Sequence, residues 1–187
     1  MNEYGSDVLP PRPKTAKEKA AALSALTEAE KRKVRCCFTG HRPQKLQRPI
    51  DDIKVDLENE ILAAITDGYT TFITGMAYGT DIWAGSIVVR LKDRYPDIKL
   101  IAAIPFPEFS NNWDEEWKKK YDRLLASADL VKVICPEYHD GVYQLRNQWM
   151  VNHCSRLIGI YSGQPGGTRN TINYARSAKL TVKCLRG

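Results

Sequence analysis

The segment from Arg156 to Ala175 contains the residue types of a phosphate-binding turn. Leu157 to Tyr161 is an apolar run of strand length, and the turn Pro165-Gly166-Gly167 follows it. We expect Thr168 to cap a helix that begins at Arg169. A helix N-terminus offers unpaired N–H groups and a partial positive charge, and glycines let a phosphate approach the backbone closely. The segment therefore predicts an anion site, although an ordinary β-α turn without a ligand has the same sequence pattern.

Two further polar turns follow apolar, strand-like runs. Thr39-Gly40-His41-Arg42-Pro43 comes after Val34 to Phe38, and the turn from Gly75 to Asp81 comes after Thr70 to Thr74. Ligands of parallel sheets bind at the carboxyl ends of the strands, where the winding direction switches. All three turns are therefore expected to line one crevice.

Four side chains in or near these turns have both a functional and a structural interpretation. Arg42 can pair with a phosphate through two hydrogen bonds or form a surface ion pair. His41 can donate to a ligand and titrate near neutral pH, or it can hold its turn. Asp81 can bind a ribose hydroxyl, act as a base or cap a helix with Thr80. Arg146 has apolar neighbours in its predicted helix, which favours an inward position.

Hydrophobic periodicity predicts an alternation of strands and helices after residue 33. Strands are expected at 34–38, 70–74, 99–104, 130–135, 157–161 and 180–185. Helices are expected at 52–67, 113–128, 142–154 and 169–179, and a further helix is expected from a cap at Thr80 or Asp81 to the break at 95–97. This order predicts an α/β domain with a mainly parallel sheet. The aromatic stripe of Trp113, Trp117 and Tyr121 is interpreted as core packing rather than as a base-stacking platform.

The chain has 187 residues, of which 43% are hydrophobic and 27% are charged, which is enough for one domain with additional segments. Residues 1–33 are predicted to be a flexible tail with a weak helix, and residues 34–187 the folded domain. No apolar run reaches the length of a membrane span, and the polar start is unlike a signal peptide. The five cysteines lack a C-x-x-C pair and are expected to be reduced. These features favour a cytoplasmic protein.

The formal net charge of +6 is divided along the chain. Residues 1–35 contain eight Lys or Arg and five Asp or Glu, which leaves +3 for the remaining 152 residues. The folded part is nearly neutral for its size, so nucleic-acid binding is possible but less favoured. His139 and His153 have no partner at metal-ligand spacing, and we expect no metal site.

Four motifs occur in a fixed order: T-G-H-R-P at 39–43, G-M-A-Y-G-T-D at 75–81, L-R-N-Q-W-M-V at 145–151 and P-G-G-T at 165–168. Together they resemble the YpsA-like branch of the SLOG superfamily, which also contains the DNA-processing protein DprA and the LOG phosphoribohydrolases. The resemblance covers residues 34–187. It implies a Rossmann-like, doubly wound fold with helices on both faces of a mainly parallel sheet. It also implies a bacterial or phage protein with a nucleotide-type ligand such as ADP-ribose, NAD or an AMP-like molecule.

The resemblance transfers ligand-binding positions onto this chain. With His41 added from its place in the first turn, they are Thr39, Gly40, His41, Arg42, Gly75, Gly79, Asp81, Arg146, Asn147, Gly166, Gly167 and Thr168.

Three functions follow as hypotheses. The first is binding of a nucleotide or a nucleotide-derived ligand. The second is nucleotide N-glycosidase or phosphoribohydrolase activity, with Asp81 as acid or base and Arg42 and Arg146 as phosphate clamps. Asn173 opposes this second hypothesis, since it stands where relatives place a carboxylate and an amide cannot transfer the proton. The third is DprA-like binding of single-stranded DNA, and homo-oligomer formation is compatible with all three.

Overall fold

The computed structural model describes residues 15, 18 and 26–187. Its helices are α1 (Glu28–Lys33), α2 (Ile50–Thr66), α3 (Thr80–Leu91), α4 (Glu115–Ala126), α5 (Val142–Asn152) and α6 (Gly167–Ser177), with a 3₁₀ turn at Pro43–Lys45. Its strands are β1 (Arg35–Gly40), β2 (Thr71–Thr74), β3 (Lys99–Ile104), β4 (Leu130–Val133), β5 (Arg156–Tyr161) and β6 (Thr181–Arg186).

The six strands form one sheet in the order β4-β3-β2-β1-β5-β6, and every pair is parallel. Cys37 in β1 pairs with Ile73 of β2 on one side and with Leu157 of β5 on the other. The chain winds outward from β1 to β4 and then returns to place β5 against the free side of β1. The winding direction therefore switches between β1 and β5, and the predicted Rossmann-like, doubly wound α/β fold is confirmed.

Helices cover both faces of the sheet because alternate strand residues are apolar on each side. One core contains Phe38, Phe72 and Leu100 of the strands and the buried stripe of α2, which includes Ile53 and Leu57. The opposite core is formed by the alternate residues of the same strands against α5 and α6. Trp113, Trp117 and Tyr121 pack against the first core, as expected for a core stripe.

The N-termini of α3 and α6 differ from the sequence prediction. Thr80 and Asp81 do not cap α3, because the N-cap is Gly79 at φ +91° and both residues lie in the first turn. Likewise Thr168 does not cap α6 and Arg169 does not begin it: the N-cap is Gly166 at φ +139° and the helix begins at Gly167. A glycine at positive φ turns the chain into each helix without a side-chain cap. The first N–H groups of α6 therefore have no side-chain acceptor from the cap.

The described part of the N-terminal region is held to the domain by α1. Thr27 and Glu30 form a capping box, and no residue of α1 is buried. Arg32 donates from Nε to the carbonyl of Cys154 at 2.8 Å and from Nη2 to that of Ala178 at 3.3 Å. The predicted tail at 1–13 and nine of the nineteen residues of the predicted helix at 15–33 lie outside the described residues. No helix among the described residues is long and apolar enough to cross a membrane.

Candidate functional site

A cavity of about 370 Å³ lies at the carboxyl edge of the sheet and includes the turns after β1 and β5, where the winding switches. This is where ligands bind in open parallel sheets. Its walls are formed by Phe38, Thr39, Gly40, His41, Arg42, Lys45, Ala77, Tyr78, Asp81, Phe109, Tyr143, Arg146, Asn147, Gly166, Gly167 and Thr168.

His41 follows β1, and its imidazole is 4% exposed. The backbone N–H of Ser162 donates to Nδ1 at 3.3 Å, and the Ser162 hydroxyl lies 2.8 Å from the same atom. Since a backbone N–H can only donate, Nδ1 is unprotonated and the proton of the neutral ring is on Nε2. Burial lowers the pKa of His41, as does the charge of Lys45, and the Gln164 backbone opposes the shift. Nε2 is buried and has no hydrogen-bond partner among the described residues, so a residue of the cavity wall holds an unpaired donor.

Asp81 in α3 and Arg146 in α5 are 6% and 5% exposed. Asp81 accepts a 3.3 Å hydrogen bond from the backbone N–H of Ala77, and Nε of Arg146 donates to Oδ1 of Asn147 at 2.8 Å. Burial raises the pKa of Asp81 and lowers that of Arg146, and the charge of each residue opposes the shift of the other. Nη1 of Arg146 is buried and has no hydrogen-bond partner among the described residues. A second residue of the cavity wall therefore holds an unpaired donor, which lies beside Gly75.

Three of the predicted glycines make room for neighbouring side chains. A Cβ on Gly75 would lie 2.4 Å from Nη1 of Arg146 and 2.7 Å from Oδ2 of Asp81. A Cβ on Gly40 would lie 2.2 Å from Oγ1 of Thr80, and one on Gly79 would lie 2.8 Å from Cδ of Pro43. Gly75 and Gly79 are outside the cavity lining. The bare backbone of Gly75 leaves room for Arg146 and Asp81 of the wall, and that of Gly79 leaves room for Pro43.

Gly166 and Gly167 differ from these packing glycines because both are exposed and a Cβ on either would meet no atom within 4 Å. Both glycines line the cavity, and they form the N-cap and the first residue of α6. Thr168 lies in the first turn of this helix and is buried. This geometry admits an anion at the helix N-terminus.

Arg42 and Lys45 provide exposed positive charge on the cavity wall. Cζ of Arg42 lies 4.7 Å from the centre of the Tyr78 ring. Within residues 26–187 no carboxylate forms an ion pair with Arg42, so the surface ion pair considered from the sequence is not formed there. Arg42, Lys45 and Arg146 oppose the single carboxylate of Asp81, and the charged groups of the wall favour an anionic ligand.

Ten of the twelve predicted positions therefore line one cavity, and the other two shape it. The sequence prediction missed Lys45, Tyr78, Phe109 and Tyr143. Tyr78 lies inside the G-M-A-Y-G-T-D motif and Lys45 lies two residues beyond T-G-H-R-P, so nearness to a motif could have indicated them. Asn173 is exposed on α6 and does not line the cavity. Among the described residues no group of His, Cys, Asp or Glu side chains is arranged to hold a metal ion.

The strand order and the helices on both faces of the sheet define a Rossmann-like α/β domain with a cavity at the switch point. A family model described as the YspA SLOG family matches residues 36–183. This chain therefore belongs to that family, and the resemblance to the YpsA-like branch is confirmed.

Relatives of this chain support the same assignment. A UPF0398 protein of Halalkalibacterium halodurans is 33% identical over 148 residues, which cover 74% of this chain and 78% of the relative. The uncharacterised SPbeta prophage-derived protein YoqJ of Bacillus subtilis is 36% identical over 141 residues, which cover 66% of this chain and 82% of the relative.

Two solved structures share the fold. DNA processing protein A (DprA) from Streptococcus pneumoniae has a TM-score of 0.56 and 17% identity, and the match covers 83% of this chain and 51% of that protein. The protein of the same name from Helicobacter pylori, described for its single-stranded DNA binding mode, has a TM-score of 0.55 and 13% identity, with 98% of this chain and 78% of that protein covered. This chain thus spans about half the length of the pneumococcal protein, and at these identities the likeness concerns the fold alone.

Proposed function

We propose that this protein binds a nucleotide or a nucleotide-derived ligand, of the ADP-ribose, NAD or AMP type, in the cavity beside β1 and β5. The observation on which the proposal depends is that two residues of the cavity wall each hold a buried donor with no partner among the described residues, Nε2 of His41 and Nη1 of Arg146. Buried polar atoms in folded proteins are almost always hydrogen-bonded, and an unpaired one costs about 1–3 kcal/mol. Two such atoms in side chains that line one cavity favour a ligand that supplies the acceptors.

The arrangement of the wall supports this class of ligand. The N-terminus of α6 at Gly166 and Gly167 suits a phosphate, with Arg42 and Lys45 as additional positive charge. Asp81 is an acceptor at a buried position, which suits the hydroxyl groups of a ribose. A ligand with phosphate and sugar therefore uses each kind of group that the wall offers.

The proposal is tested by calorimetry with ADP-ribose, NAD, AMP and inorganic phosphate. At least one nucleotide is expected to bind saturably, and Arg146→Gln to weaken that binding by about tenfold or more, since a hydrogen bond to a charged group contributes about 1.5–3 kcal/mol. Arg123→Gln, at an exposed position on α4, is the control and should bind as the wild type does. Absence of binding by every nucleotide at millimolar concentration would refute the proposal.

A second candidate function is cleavage of an N-glycosidic bond, and one observation favours it. Asp81 lines the cavity, and burial raises its pKa. A carboxyl that keeps its proton at higher pH is suited to act as a general acid on a leaving base. Base release from AMP and NAD should then fall by about 10²-fold or more in Asp81→Asn. Equal rates in the two proteins would exclude Asp81 as the catalyst.

A further inference from the structure

We infer that the end of the cavity beside β3 is the seat of a planar aromatic base, which stacks on Tyr143 with Phe109 beside it. The inference rests on the proposed function, because it names the part of the same ligand that is farthest from the phosphate. It assigns Tyr143 as a residue that determines which ligands are bound.

Tyr143 lies in the first turn of α5 and belongs to a cluster of aromatic rings at the carboxyl end of β3. Its ring centre is 5.8 Å from that of Phe109 and 6.2 Å from that of Phe106, with interplanar angles of 55° and 53°. Both rings are tilted relative to Tyr143, and neither is stacked face to face on it. Tyr143 is 45% exposed although it lines the cavity.

Core packing does not account for Tyr143. Phe109, Trp113 and Trp117 pack against the core on their side of the sheet, whereas Tyr143 belongs to neither core. Half-exposed aromatic surface in a cavity wall is suited to contact a ligand, because an aromatic ring offers a large apolar area with a fixed shape.

The strand order separates this aromatic end from the phosphate end. Gly166 and Gly167 follow β5, whereas Phe109 follows β3, and β1 and β2 lie between these strands. Neighbouring strands are about 4.8 Å apart, so the two ends are about 14 Å apart along the sheet edge. A single phosphate or a single ring is too short to occupy both ends. A ligand that fills the cavity must therefore be elongated, with an anion at one end and a flat ring at the other.

The middle of the cavity fits such a ligand. Asp81 follows β2, which lies between the strands of the two ends, and Arg146 of α5 lines the same cavity. By strand order Asp81 lies between the glycine turn and the aromatic rings, and Arg146 lies next to the aromatic end, with Cζ 5.9 Å from the centre of the Phe109 ring. Both side chains are therefore placed to contact the sugar of a nucleotide. The order of anion site, polar groups and aromatic surface is the order of phosphate, ribose and base.

The inference is tested with the full chain by titrating AMP, ADP-ribose and ribose 5-phosphate into the wild type and three variants. The variants are Tyr143→Ala, Tyr143→Phe and Tyr138→Ala. Tyr138 is the matched control, because it is 57% exposed, belongs to the same aromatic cluster at 6.2 Å from Tyr143, and does not line the cavity. Thermal unfolding of each variant establishes that it is folded.

Stacking of a base on an aromatic side chain contributes about 1–3 kcal/mol, so the wild type should prefer the nucleotides over ribose 5-phosphate by about 5- to 150-fold. Tyr143→Ala should lose most of this preference without a change in affinity for ribose 5-phosphate. Tyr143→Phe and Tyr138→Ala should retain it. The base protons of the bound nucleotide should show an upfield NMR shift in the wild type that disappears in Tyr143→Ala.

The possible failures are distinguishable. If a nucleotide binds the wild type no tighter than ribose 5-phosphate does, or binds Tyr143→Ala at full strength, the base seat is refuted and the proposed function stands. If only one of the two nucleotides binds, the comparison is made with that one. If neither binds the wild type, the comparison is repeated with NAD, and if NAD also fails to bind, the proposed function and the base seat fail together.

Discussion

His41 and Asp81 are buried in the same cavity wall, and burial disfavours the charged form of each. The pKa of His41 is therefore lowered and that of Asp81 is raised. The lowered pKa of His41 makes folding less favourable as the pH falls, whereas the raised pKa of Asp81 makes folding less favourable as the pH rises. At neutral pH the imidazole is neutral and suits the buried position, whereas the carboxylate is held there against a desolvation cost.

The lowered pKa of His41 predicts a loss of stability in mild acid. The unfolded chain takes up the proton near the ordinary pKa of about 6.5 while the folded chain resists it, so the free energy of unfolding falls as the pH decreases below about 6.5. His41→Gln should show a smaller decrease between about pH 7 and about pH 5.5 in urea titrations. Exposed His139→Gln is the control and should follow the wild type. Parallel curves for all three proteins would contradict the argument.

The raised pKa of Asp81 predicts that function and stability conflict at this position. The stability that a raised carboxyl pKa provides is present below about pH 3.9 and is lost as the pH rises through the folded value. At neutral pH Asp81→Asn replaces the charged carboxylate with a neutral amide of the same shape, which removes the cost of desolvating the charge. The melting temperature of this variant should be at least that of the wild type, while nucleotide affinity decreases. A melting temperature several degrees lower would show instead that Arg146 requires the carboxylate for folding.

Gly167 provides a test of the glycine turn in which folding and binding separate. Gly167 lines the cavity at the start of α6, and a Cβ there would meet no atom of the described residues within 4 Å. A side chain at this position should therefore compete with a ligand for space without straining the fold. Gly167→Val should therefore lose nucleotide affinity by about tenfold or more and keep its melting temperature. Gly163→Val is the control: its φ of +87° makes it strained, but it is outside the cavity lining, so stability should decrease by about 1–3 kcal/mol and binding should persist. Full-strength binding by folded Gly167→Val would remove α6 from the site.

At the scale of elements, apolar periodicity located every strand of the sheet, and Lys99–Ile104 was predicted to the residue. The starts of α3 and α6 were predicted wrongly, because a glycine at positive φ replaces the polar cap that the sequence pattern favours. The site residues Phe109 and Tyr143 were missed for a different reason. Phe109 and Tyr143 reach the cavity only because β3 lies two strands from β1 and α5 packs over β3, and sequence order alone does not give that arrangement.

The junction of β1 and α3 predicts how strongly the fold depends on Gly40. A Cβ there would lie 2.2 Å from Oγ1 and 2.5 Å from Cβ of Thr80, and Thr80 itself donates to the carbonyl of His41 at 3.2 Å. The contact involves the rigid part of a buried side chain, so Gly40→Ala should lower the free energy of unfolding by about 1–3 kcal/mol. Gly159→Ala is the control within the same sheet, where the nearest atoms are at 3.4 Å. Urea titration should show a clearly smaller loss for Gly159→Ala, and equal losses would contradict the steric explanation.

At the scale of the whole molecule, the strand order concentrates the polar turns at one edge and leaves the opposite edge to packing. The turns after β1, β2, β3 and β5 meet at the cavity, because all strands are parallel and these four are neighbours in the sheet. The net charge of residues 36–187 is low, at +3. Three cationic side chains of this part of the chain, Arg42, Lys45 and Arg146, line the cavity. This distribution suits a small anionic ligand better than a long polyanion.

The fold is shared with DprA, so the competing prediction is binding of single-stranded DNA, and salt dependence separates the two. Affinity for a single strand falls with salt with a log-log slope of about −0.7 for each phosphate neutralised. If only Arg42, Lys45 and Arg146 neutralise phosphates, the slope is about −2, and a thymidine oligonucleotide should weaken by no more than about twentyfold between about 50 and 200 mM salt. We expect this shallow dependence for the full chain, with the oligonucleotide bound no tighter than the best mononucleotide. Arg42→Ala combined with Lys45→Ala should flatten the slope further, to about −0.7. A slope of about −5 with tighter binding of the oligonucleotide would require at least seven neutralised phosphates, more than the cavity wall can provide, and would establish an extended basic surface as the principal binding site.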